Sequence, residues 1–185
     1  MTRTSLFADP RPAMEGPARR PRGAAALAVA LTRCTDLWAP LVEYGDTSRW
    51  TSLIAPAVAA EVLDPALHAD LAGAQIWLLS WLPGQGTDLH DHGTSAGAFA
   101  VARGTLTERV VAGGSREAVH QSTTDLVAGR VRWFGEHYVH QVTNTVAEPA
   151  VSVHVYAPAL RWMNTYRVEG GALVRIGTER VGVDW

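Results

Sequence analysis

The chain of 185 residues has one cysteine, Cys34. A single thiol excludes an internal disulfide and a zinc–thiolate cluster, and it fits a reducing cytosol, so a cytoplasmic protein is expected. Cys34 itself reads as small apolar filler on a helix. Charge is scarce as well: charged residues make up 18%, the net charge is −2, and no block of like charge exceeds a few residues. Nucleic acid and membrane are therefore not expected as partners. A long hydrophobic run is also missing. Arg19-Arg20-Pro21-Arg22 followed by the apolar stretch Gly23 to Leu31 imitates a targeting signal. The apolar stretch is too short to cross a bilayer. It passes into Thr32-Arg33-Cys34-Thr35-Asp36 with no small-residue cleavage pattern, so it reads as an amphipathic or buried helix.

What is present suits one folded domain. Hydrophobic residues make up 47%, enough for a sizeable core. Residues 1–22, rich in Pro and Arg, read as a flexible tail. Residues 23–185 read as one domain, helical over 23–72 and a β-barrel over 73–178. Ala24 to Thr32 is rich in helix formers. Asp36 is placed to cap a short second helix through Leu37, Trp38, Leu41 and Val42. Ser52-Leu53-Ile54 reads as a strand. Ala57 to Leu63 and Pro65 to Leu71, the latter behind an Asp64 cap, read as helical.

From Gln75 onward, short runs rich in Val, Ile, Phe and Trp alternate with glycine-containing turns, including Gly113-Gly114-Ser115. Strands are expected at 75–81, 87–91, 96–102, 105–111, 117–121, 131–134, 138–143, 150–157, 164–168 and 172–176. Many short strands at close spacing predict an all-β sandwich or barrel. A parallel α/β sheet needs helices between its strands, and the spacing leaves no room for them.

Two histidines, His90 and His92, stand two residues apart in a strand context. Positions i and i+2 of a strand share a face, so both rings can aim at one point while Asp91 faces away. Two imidazoles on one face are half of a metal site. The wider spacing extends the pattern. Gly84, five residues, His90-x-His92, four residues, Gly97, six residues and Gly104 resemble the first cupin motif. Gly129, five residues, Gly135, His140 and Asn144 resemble the second. The resemblance implies a cupin, a double-stranded β-helix barrel of the jelly-roll type. It also implies a metal held by His90, His92 and His140. Gly97 stands where the first motif normally has a glutamate, so no carboxylate joins the set. Three neutral imidazoles on one side of an ion leave the opposite positions open for reactants. Histidine suits iron, zinc, copper and nickel alike. His137, at an odd offset from His140, is expected to face away.

Along Ser152-Val153-His154-Val155-Tyr156, polar and apolar residues alternate. Ser152, His154 and Tyr156 share one face. Either that face is wet, or it is a hydrogen-bonded relay beside the metal, with Tyr156 as the group that reaches substrate. His90-Asp91-His92, the run Tyr138 to Asn144 and the run Glu148 to Tyr156 together resemble the cysteine dioxygenase family of thiol dioxygenases, over about residues 75–158. The resemblance implies Fe(II) on the three histidines, a Ser152–His154–Tyr156 relay, and a reaction that adds both atoms of O2 to a small-molecule thiol to give a sulfinate. No macromolecular partner is expected, and the chain is expected to be a monomer or weak homodimer.

Two departures stand out. Some family members carry, at the position of Gly97, a cysteine cross-linked to the relay tyrosine; Gly97 resembles the bacterial form without the cross-link. The arginine that grips the substrate carboxylate in cysteine-specific members, or the glutamine of mercaptopropionate-specific ones, falls at Ser52 here. A serine cannot form a bidentate ion pair with a carboxylate. Either Arg49, Arg161 or Arg167 takes that role or the substrate is not free cysteine. Ser52, Arg49, Trp81 and Gly97 are the residues expected to meet substrate. The seven tryptophans also leave room for cation–π binding of a betaine thiol such as ergothioneine. The alternatives are 3-mercaptopropionate or ergothioneine as the thiol, another cupin metalloenzyme, or a ligand-binding cupin without catalysis.

Overall fold

The computed structural model of the chain describes residues 19–113 and 118–181. Its helices are α1 (Arg19–Arg33), α2 (Thr35–Trp38), α3 (Pro56–Val62) and α4 (His68–Leu71), with 3-10 turns at Ala39–Leu41 and Pro65–Leu67. The strands are β1 (Trp50–Ile54), β2 (Gln75–Trp81), β3 (Leu89–Asp91), β4 (Ala96–Arg103), β5 (Thr105–Ala112), β6 (His120–Val127), β7 (Val131–Phe134), β8 (Val139–Thr143), β9 (Ala150–Ala157), β10 (Trp162–Glu169) and β11 (Ala172–Arg180).

The strands form two antiparallel sheets, in the orders β1-β2-β9-β4-β7 and β11-β10-β3-β8-β5-β6. Their inner faces pack on each other through Leu79, Phe99, Leu106, Leu126, Val142 and Met163, which makes the barrel interior. The outer face of the five-stranded sheet carries Ile76, Leu78, Ala98, Val153 and Val155, and α1 covers it with Ala24, Leu27, Ala28 and Leu31. This is the all-β, double-stranded β-helix architecture, with the helices forming a lid on one sheet.

Several local expectations are corrected. Helix α1 starts at Arg19, inside the stretch read as tail; Pro21 lies in its first turn, where a missing N–H costs no hydrogen bond. The rest of that stretch, 1–18, lies outside the described residues. Cys34, not Asp36, takes the N-cap position of α2, with no side-chain cap. Asp64 does cap, accepting from the Ala66 N–H at 2.8 Å. Strand β6 is longer than the run expected at 117–121 and is polar for most of its length. It is an edge strand held by full-length pairing with β5, so it needs no alternating apolar face. The turn at Gly113-Gly114-Ser115 lies largely outside the described residues.

Candidate metal centre

The register between β3 and β8 sets His90 directly opposite His140 on the inner face. His92 follows His90 by two residues, so all three rings converge. Their ligand nitrogens lie within 4.8 Å of one another, and all three residues are buried. His90 Nε2 and His92 Nε2 are 3.2 Å apart. Two nitrogens bound to one ion at about 2.1 Å, at angles from right to tetrahedral, stand about 3.0–3.4 Å apart. The donor set therefore fits a divalent metal.

Each ring is held differently. His90 Nδ1 faces the Asp88 carbonyl at 2.8 Å. His140 Nδ1 faces the Glu108 carboxylate at 2.8 Å. His92 stacks on Phe134, with ring centroids 4.3 Å apart at 24°. Burial, then repulsion from His140, pulls His90 down to about 3. Burial, then the neighbouring rings, holds His92 well below the ordinary imidazole value. Neutral imidazoles with free lone pairs are the form a metal requires. Asp91 faces the opposite side, as the strand period predicts. There it accepts from the Gly93 N–H, the Asn164 amide and the Tyr166 hydroxyl at 2.8, 2.9 and 2.6 Å.

The inner face of β9 lies beside the histidines. Trp81 Nε1 donates to Ser152 Oγ at 2.9 Å, and Ser152 Oγ lies 2.9 Å from His154 Nε2. An indole N–H can only donate, so the serine hydroxyl is free to donate onward to His154. His154 is buried, stacks on Phe99 at 5.0 Å, and is held well below the ordinary imidazole value first by burial and then by the neighbouring His140. Its contact with Tyr156 is ring packing at 6.4 Å; among the described residues no hydrogen bond joins the two. Tyr156 reaches the cluster, its ring 5.2 Å from that of His92. Burial raises its phenol well above the ordinary range, with Arg49 pulling the other way, so it keeps its proton at neutral pH.

A small pocket opens over these rings, with a cavity volume of about 20 Å³. His90, His92, His140, His154 and Tyr156 line it together with Arg49, Trp77, Thr87 and Met163. The substrate expectations divide here. Arg49 is in the pocket, its guanidinium 5.8 Å from the centre of the Trp81 ring. Burial lowers its pKa, and Tyr156, Glu179 and Asp88 offset that. Ser52 is not in the pocket. It pairs with Leu78, whose side chain belongs to the helix-covered layer, and its hydroxyl donates to the Leu41 carbonyl at 3.2 Å. Trp81 is fully buried and supports Arg49 and Ser152 from beneath. Gly97 lies opposite Tyr156 across β4 and β9. A Cβ there would collide with the Val155 carbonyl and sit 2.9 Å from the Phe134 ring, so Gly97 presents no side chain to a substrate. Arg161 is exposed on another groove, and Arg167 pairs with Glu169. His137 is exposed in the loop before β8.

The sequence reading missed Glu108, Tyr138, Phe134, Thr87 and Met163. Glu108 carried one signal: it follows Leu106 by two residues in a strand, so the two share a face. Arg109 and Val111 alternate equally well, and only the β5–β8 register decides between the faces.

The family model for cysteine dioxygenase type I matches residues 66–169. Among solved structures, an uncharacterized protein with a double-stranded β-helix domain from Klebsiella pneumoniae is 19% identical, with a TM-score of 0.50, over 69% of this chain and 86% of that one. The protein TT1209 from Thermus thermophilus is 21% identical, with a TM-score of 0.44, over 64% and 90%. A recombinant oxalate oxidase in complex with glycolate is 14% identical, with a TM-score of 0.47, over 60% of this chain and 52% of its own. The Klebsiella likeness shows the fold alone. The family match spans more than half of the chain and contains the three converging histidines and the β9 face. With its cupin barrel and three-histidine metal centre, the chain belongs to the cysteine dioxygenase type I family.

Proposed function

We propose that the protein is a cytoplasmic Fe(II) thiol dioxygenase that converts a small thiol carrying a carboxylate to its sulfinate. It would work as one domain built on residues 23–185, with no macromolecular partner beyond a weak homodimer. The observation that carries the substrate class is Arg49, a guanidinium in the same small pocket as His90, His92 and His140. Iron, when bound, supplies a Lewis-acidic site where a thiol loses its proton readily and O2 is reduced. The chain's own groups do the rest. Arg49 would take the carboxylate at the far end, the role its family gives to the position of Ser52. Tyr156, protonated and beside His92, would donate a hydrogen bond to the reacting atoms. Ser152, held by Trp81, would fix the tautomer of His154, and the stacked His154 ring would support Tyr156. Phe99, Phe134 and Met163 exclude water from the barrel side.

No carboxylate is among the described residues that line the pocket, so nothing there demands an ammonium group on the substrate. That favours a simple mercaptocarboxylate as well as cysteine. Trp77 on the pocket wall supports the second reading, a betaine thiol such as ergothioneine, whose carboxylate would also meet Arg49. The test is anaerobic loading with Fe(II), then O2 uptake with 3-mercaptopropionate, cysteine, ergothioneine and the carboxylate-free cysteamine. Uptake with the acids and little with cysteamine is expected. Equal uptake with cysteamine removes the role of Arg49, and no sulfinate from any thiol removes the thiol dioxygenase reading.

A further inference from the structure

We propose that Glu108 is a positioning residue of the metal centre, giving His140 the negative charge that the three neutral imidazoles lack. The proposal rests on the three histidines being metal ligands. Glu108 is fully buried on the inner face of β5. It pairs with Val142, two residues from His140. Its Oε1 accepts from His140 Nδ1 at 2.8 Å and from the Tyr138 hydroxyl at 3.1 Å, while Oε2 takes Arg132 Nε at 2.6 Å.

Two things follow. A carboxylate that accepts from Nδ1 keeps the proton there, so the Nε2 lone pair of His140 faces the other two rings. The backing is also unequal around the centre. His90 has a neutral carbonyl behind it. Nδ1 of His92 is buried with no hydrogen-bond partner among the described residues. Only His140 is backed by a full charge, so it is the strongest donor of the three.

A purely structural reading gives Glu108 to Arg132 alone. Arg132, however, is about one-third exposed while Glu108 is not exposed at all. An ion pair made only for its own sake would sit with both partners toward water, since burying a carboxylate carries a desolvation cost. Here one oxygen is turned inward to a ligand and the other outward to the arginine. Tyr138 competes with His140 for the inward oxygen, so it should temper the charge His140 receives.

The test uses the full-length apo-protein and Co(II), followed through the visible bands of the bound ion, and then the midpoint potential of the iron-loaded protein. Wild type should bind one Co(II); if it does not, the metal-centre reading itself fails. Glu108→Gln keeps an acceptor of the same shape but removes the charge. It should weaken Co(II) binding about 10–100-fold and raise the potential. Wild-type affinity in folded Glu108→Gln overturns the proposal. Tyr138→Phe should move the potential the opposite way, downward. If Glu108→Gln does not fold, Tyr138→Phe decides: a lowered potential supports the assignment, and an unchanged or raised one overturns it.

Discussion

The two faces of β9 are equally buried and chemically opposite. Val151, Val153 and Val155 point into the layer under α1, and Ser152, His154 and Tyr156 point into the barrel, with no residue from Ala150 to Tyr156 exposed. Burial therefore does not separate structure from function in this strand. The polar groups do. A buried hydroxyl and imidazole cost free energy unless they are hydrogen-bonded, and Ser152 and His154 have each other and Trp81. One face stabilises the barrel, and the other is the face to which the proposed function assigns the chemistry.

Substitutions should break the two faces apart. The largest effect is expected from His140→Ala, which removes a ligand on the inner side. Metal analysis should find binding lost, while the apo-protein still melts cooperatively. Tyr156→Phe should keep its iron and lose about 10²–10⁴-fold in kcat, the usual worth of a positioned proton-bearing group. Leu78→Ala is its counterpart on the outer layer, opposite Val153. It should cost about 2–5 kcal/mol of stability in denaturant melts, with metal content and kcat kept. Arg49→Gln should raise KM for carboxylate thiols by the equivalent of about 1.5–3 kcal/mol, the worth of a charged hydrogen bond, and leave cysteamine turnover unchanged.

A pH dependence confined to the inner face sharpens the comparison further. His90 in the folded protein titrates near 3, below the ordinary 6.5, chiefly through burial. The unfolded chain then binds more protons between those values. Its contribution is complete above pH 6.5 and is lost as pH falls toward 3, by about 1.4 kcal/mol per pH unit for one such group. His92 and His154 shift the same way. Melts of the apo-protein from pH 7.5 to 5 should show falling stability, and His90→Phe should flatten the slope.

What the sequence revealed depended on how local each signal was. The His90–His92 pair and the Ser152–His154–Tyr156 face follow from the period of a strand, and no knowledge of its neighbours is needed. His140 was reached through motif spacing. Glu108, Arg132 and Tyr138 come from β5, β7 and the loop before β8; the β5–β8 register sets Glu108 beside His140, and the packing of the two sheets brings Arg132 to it. The substrate end shows the same limit. Alignment pointed to Ser52, but β1 turns that side chain toward the helices. Arg49, just before the strand, reaches the pocket instead. Strand β6 went partly unread because an edge strand with seven of eight residues exposed shows no apolar alternation.

The central claim is that the pocket of Arg49, Tyr156 and the three histidines inserts dioxygen into a thiol. The direct measurement is a single turnover of the Fe(II)-loaded protein with 3-mercaptopropionate and with cysteine under ¹⁸O2, followed by mass analysis of the product. The account predicts a sulfinate carrying two labelled oxygens. A disulfide, or a sulfinate with one labelled oxygen or none, would contradict it.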